Sequence, residues 1–176
     1  MKSLLGAMLA VICISSPCTS QIVTRPTFSL ERLTWGDSLE SVKTLLPDHI
    51  SRVRDTVDAE HARSYSYEDT IESRKVRITL RFADDGRRLV AIMIFCFGNT
   101  QNGQVADSVA SRDVEHLWDW FAMHYGPFST EKNGAFGHTR KWLFPQTTIQ
   151  MILVRRGSGL LTVIYSNGRL FPGSGF

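Results

Sequence analysis

Residues with the means to bind a metal or move a proton gather in one stretch: Asp113, His116, Asp119 and His124, with Trp120 between the histidines. On a helix, eight residues rise about 12 Å, whereas zinc holds its nitrogens about 2 Å away. His116 and His124 therefore cannot share an ion. Asp113 or Asp119 reaches His116 at three residues' spacing, but two ligands do not make a site. The pattern reads as a polar helix flank. Trp120 falls about 120° from the centre of that helix's apolar stripe at 100° per residue. That points it towards solvent, where tryptophan is enriched at interfaces.

Cys96 sits in Ile94-Phe95-Cys96-Phe97 with no cationic neighbour to lower its pKa, so it reads as a buried structural thiol. Gly157-Ser158-Gly159 separates two strand candidates and Gly173-Ser174-Gly175 lies in the tail, so turn chemistry explains both better than a nucleophile elbow. No phosphate loop, His-Glu-x-x-His or Cys-x-x-Cys occurs. We therefore assign no catalytic residue, no cofactor and no metal ligand. The stronger surface feature is a row: in 74–82, Val76, Ile78, Leu80 and Phe82 face one way and Lys75, Arg77, Thr79 and Arg81 the other. Arg77, Thr79 and Arg81, with Trp120 apart from them, are the candidate partner-binding residues, since arginine and aromatics favour interfaces.

Positioning these residues requires a helix that starts at Asp37-Ser38-Leu39-Glu40, a capping-box pattern in which Asp37 caps and Glu40 reaches back, and stops at Pro47. Strand candidates follow at 61–68, 74–82 and 89–97, with a hairpin signal at Asp84-Asp85-Gly86. The run 89–97 (LVAIMIFCF) is apolar at every position, as expected of a strand covered on both faces. A linker-like stretch, 98–106, precedes a second helix, 107–125, and three more strands at 140–144, 147–155 and 160–166. The expected fold class is α+β: two αβββ units, each an antiparallel sheet packed against helices. The units are 35–97 and 107–176, the latter with the C-terminal tail, after an N-terminal arm at 21–34.

The N-terminus predicts export. Lys2, an apolar run from Leu4 to Ile14 and the small residues up to Ser20 form a signal peptide over 1–20, cleaved near Ser20. The run spans about 16 Å as a helix, too short to anchor in a hydrocarbon core of about 30 Å. Lipidation at Cys18 is the minority reading, because Ser15 and Pro17 occupy the positions where a lipobox needs other residues. Cleavage removes Cys13 and Cys18 and leaves Cys96 without a disulfide partner. With no Asn-x-Ser/Thr sequon either, a periplasmic or secreted bacterial setting fits best. A net charge of +3 over 176 residues is too mild to argue for nucleic acid, and the rest of the chain holds no second hydrophobic span. The predicted partner is another protein, with self-association left open.

Trp35-Gly36-Asp37-Ser38-Leu39-Glu40-Ser41-Val42-Lys43, followed by Leu46-Pro47, resembles the opening of SmpA/OmlA-type domains of outer-membrane assembly lipoproteins. Doubled, the αβββ layout also resembles the tandem arrangement of β-lactamase inhibitory proteins. Both resemblances imply protein–protein binding without catalysis. The expected function is an exported interaction module: an envelope assembly factor, an inhibitor or an immunity-type protein. Its rivals are a small periplasmic hydrolase with a site assembled only by the fold, and a carrier of an apolar ligand.

Overall fold

The computed structural model describes residues 30, 32–48, 50–58, 62–72, 74–97, 100–101, 104–105, 107–135, 137–154 and 160–167. The expected signal peptide, the expected arm up to residue 29, His61 and both Gly-Ser-Gly triplets lie outside the described residues. The elements run α1 (Leu39–Leu45), β1 (Ser51–Val57), β2 (Arg63–Ile71), β3 (Arg74–Ala83), β4 (Arg88–Phe97), a small pair β5 (Thr100–Gln101) and β6 (Gln104–Val105), α2 (Asp107–Tyr125), β7 (Thr130–Gly134), β8 (Gly137–Leu143), β9 (Thr148–Val154) and β10 (Leu160–Ser166).

Eight strands form one antiparallel sheet in the order β1-β2-β3-β4-β10-β9-β8-β7. This overturns the expected α+β fold of two αβββ units: the molecule is closer to all-β, a single sheet with two helices on one face. The seam is the pairing of β4 with β10, unbroken from Leu160↔Phe97 to Ser166↔Ala91. The cause is legible in the strands' charges. From Leu89 onwards β4 carries no charge, and neither do β9 and β10. A charge-free apolar strand is a poor sheet edge, so these strands take the middle and pair with one another. The edges fall to β1 (SRVRDTV) and β7 (TEKNG), exposed along their whole lengths. Neither has a buried face, so neither shows the apolar alternation by which strands are recognised in sequence. In β1 a bulge between Ser51 and Arg54, with Arg52 at φ 51°, breaks the edge further.

One core lies between the sheet and the helices. A row of it runs Tyr65, Leu80, Ile92, Tyr165, Ile149, Trp142 across β2, β3, β4, β10, β9 and β8. Leu39 and Val42 of α1 and Leu117 and Phe121 of α2 pack onto the same cluster. Leu30 and Leu33 are also fully buried, so the end of the expected arm belongs to the core. Trp35 donates its indole N–H to Thr147 Oγ1 at 2.9 Å, tying the chain before α1 to the β8–β9 turn.

The residues Trp35–Leu39 have a local structural explanation. Asp37 N–H donates to the Thr34 carbonyl at 3.1 Å, closing a turn. Gly36 holds φ +93°, a value that side chains rarely adopt. The helix cap differs from expectation: Ser38, not Asp37, caps α1 by accepting from Ser41 N–H at 3.2 Å. Asp37 instead accepts from Thr34 N–H at 2.7 Å, inside the turn. An aspartate one residue before a serine competes with it for the cap, and here the turn claims the aspartate. Among the described residues no helix is long and apolar enough to cross a membrane.

Candidate functional site

The alternation of β3 sends its side chains to the two faces of the sheet, and the register carries each row outwards. Away from the helices, Arg77 pairs with Phe95 and Glu68, Thr79 with Met93 and Ser66, and Arg81 with Ala91 and Ser64. The Arg77 row continues through Thr162, Ile152 and Thr139 to Lys132. The Thr79 row continues through Ile164 and Gln150 to Lys141. The middle strands β4, β10 and β9 thus give this face a stripe of Met93, Phe95, Ile152 and Ile164, all half-buried. Basic residues stand on both sides of it: Arg54, Lys75, Arg77 and Arg81 on one, Lys132 and Lys141 on the other.

Two carboxylates temper the first flank. Glu68 accepts from Arg52 at 3.1 Å and lies 3.7 Å from Arg77, and Asp58 accepts from Arg81 at 3.0 Å. The Arg77 and Arg81 side chains are 43% and 31% exposed. Pairs at that exposure contribute little stability, but they hold the guanidinium groups in place. The Thr79 hydroxyl lies 2.9 Å from that of Ser66, so its polar group is engaged within the sheet.

Trp120 does not join this row. It lies on α2, on the opposite side of the sheet, half-buried against the core cluster. Its ring is edge-on to Phe121 at 5.0 Å and 4.1 Å from the His124 ring. The angular position on the helix points Trp120 towards solvent, whereas it is half-buried, packed against the core cluster and the His124 ring. Met123 of α2 faces water, at 73% exposure. His124 Nδ1 lies 2.6 Å from the Trp120 carbonyl, which accepts its hydrogen bond, while His116 is exposed. Among the described residues no three His, Cys, Asp or Glu side chains are placed to hold a metal.

A polar cleft of about 380 Å³ opens between α2 and the β7–β8 hairpin, lined in part by Trp118, Glu131, Asn133, His138 and Arg140. Its groups serve one another. Arg140 donates to Glu131 at 2.9 Å and sits 4.8 Å over the Trp118 ring and 5.0 Å over that of Phe128. His138 Nδ1 meets Asn133 Oδ1 at 2.6 Å. Among the described residues its lining contains no serine, cysteine or threonine. Cys96 lies in the core at 2% exposure, and burial pushes its thiol up to about 12, so it stays protonated at neutral pH.

Sequence reasoning found the Arg77/Thr79/Arg81 half of the basic face and missed the other. Lys132 and Arg54 sit on the edge strands that went unrecognised. Ile152 and Ile164 carried a signal, because β9 and β10 are apolar on both faces much as β4 is. Comparison with known family models, curated proteins and solved structures yields no match.

Proposed function

We propose that this protein is a non-catalytic binding module, exported from the cell that makes it, which docks another protein on the helix-free face of its sheet. The observation that carries the proposal is the half-buried apolar stripe of Met93, Phe95, Ile152 and Ile164 set between two basic flanks. The outer face of an antiparallel sheet is normally polar and wet, and apolar side chains grouped on it favour a partner over water. Arginine at the margin of such a patch suits a protein interface. The resemblance of Trp35–Lys43 to envelope assembly domains points the same way, towards an assembly factor, inhibitor or immunity-type role.

The test is the double charge reversal Arg77→Glu with Arg81→Glu. It places carboxylates beside Glu68 and Asp58, which costs about 1 kcal/mol or less at these partly exposed positions, so circular dichroism and the melting profile should stay close to those of the parent. Recovery of the partner from the native envelope should fall sharply, because opposed charges at an interface are costly. Unchanged recovery by a folded double variant would remove this face as the docking site.

A further inference from the structure

We infer that the partner presents an acid-flanked apolar ridge about one helix wide, which lies along the strands of the helix-free face; this rests on the docking role proposed above and specifies its chemistry. The width follows from the sheet. Neighbouring strands lie about 4.8 Å apart, so the stripe on β4, β10 and β9 spans about 10 Å between its outer strands. That matches the 10–12 Å diameter of an α-helix with its side chains. Arg77 on β3 and Lys141 on β8 are four strand spacings apart, about 19 Å, leaving a basic margin on each side of such a ridge.

Charge selects among the occupants. A second copy of this chain would bring a basic face against a basic face, and like charges across an interface are strongly disfavoured. A lipid surface would meet the cations, but Met93, Phe95, Ile152 and Ile164 are all half-buried and leave little apolar surface to insert. Binding at a lipid interface needs apolar groups that reach into the acyl boundary. An apolar stripe between basic flanks accepts an apolar ridge flanked by carboxylates. Steered by opposite charge, such a partner associates faster at low salt than at high.

The methionines report on this directly. Met93 lies on the stripe, Met123 on α2 on the other side of the sheet, and Met151 in the core at 0% exposure. The full exported chain, labelled at its methionine methyls, is titrated by NMR with three designed amphipathic helical peptides. All carry leucines on one face, flanked by glutamate, by serine or by lysine; phosphatidylglycerol vesicles form a fourth arm. The expected result is a saturable shift of Met93, with Met123 and Met151 unmoved, for the glutamate peptide alone. Lys132→Glu with Lys141→Glu, on the flank away from Arg77, should weaken that binding about tenfold or more.

Equal Met93 shifts with the serine peptide would overturn the inference while leaving the face a docking site for an apolar partner. A Met93 shift produced by vesicles and not by peptide would assign the face to lipid and overturn it too. Should no peptide move Met93, the acidic ridge is wrong, and the docking role itself is judged separately by the envelope recovery of the Arg77/Arg81 variant.

Discussion

Tyr125 and Tyr165 face each other where α2 crosses the sheet, hydroxyl to hydroxyl, Tyr165 in the core and Tyr125 half-buried against it. Each satisfies the other's polar group, which makes the pair cheap to bury and costly to break. Burial pushes both phenols above their ordinary value of 10.0, and it pushes the Cys96 thiol, ordinarily near 9.0, up to about 12. All three groups keep their protons in the fold at a pH where the unfolded chain has lost them. The stabilisation they reflect is fully present below about pH 9 and is lost as pH rises from there, since stability falls with pH wherever the unfolded state binds fewer protons. Tyr125→Phe should cost about 1–3 kcal/mol at neutral pH by leaving the Tyr165 hydroxyl without this partner. It should also flatten the alkaline limb of a stability profile measured by urea unfolding at stepped pH. A variant as stable as the parent, with the same alkaline limb, would show that the hydroxyl pair contributes nothing.

Among the elements, β1, like β7, is exposed along its length, and side-chain pairing holds it to β2 and α1. Arg63 of β2 donates to both oxygens of Asp55, at 2.8 and 2.9 Å, and Lys43 of α1 lies 3.7 Å from the same carboxylate. The Arg63 hydrogen bonds hold the Asp55 carboxyl below its ordinary 3.8. A lowered carboxyl contributes stability above that value and loses it as pH falls through it. Asp55→Asn should therefore destabilise the fold by about 1 kcal/mol or less at neutral pH, the pair being partly exposed. It should shallow the acid limb below about pH 4, and hydrogen exchange should show β1 amides opening before those of β2. If β1 exchange is unchanged in the variant, this clamp is not what holds the edge. The clamp was hidden from sequence for the same reason as the strand. Asp55 and Arg63 are eight residues apart across a turn between segments of which only the second alternates, and only strand pairing brings them together. By contrast, β3, β4, α2 and β10 were legible nearly to the residue, because burial imposes its period on β3 and α2 and a near-continuous apolar run on β4 and β10. On the candidate face, the arginine row was readable from that period, whereas the opposite flank depends on strand order, which no local pattern encodes.

At the scale of the whole molecule, the β4–β10 seam makes one cooperative unit out of what sequence order suggests are two. The buried residues of α1, α2, β4 and β10 belong to one cluster. A chain of this kind should unfold in a single step, with calorimetric and van't Hoff enthalpies equal within error. Residues 107–176 made alone should not give a folded product, because β10 would then be a bare apolar edge. Two resolved transitions, or a folded C-terminal fragment, would contradict the single core.

The seam also has a consequence for how the chain is born. Hairpin-linked strands can find their neighbours as they are synthesised, but the strand that seals the middle of the sheet is the last one made. From the completion of β4 at Phe97 to Ser166, ribosomes adding about 5–20 residues per second take on the order of ten seconds or less. Throughout that interval the most apolar strand of the molecule has an open side, and the pairing that closes it joins residues as far apart as Ala91 and Ser166. Loop closure over such a distance is slow compared with forming hairpins. The vulnerable species is therefore a chain that still lacks β10, and a message cut short before residue 160 should yield aggregate in place of a smaller fold.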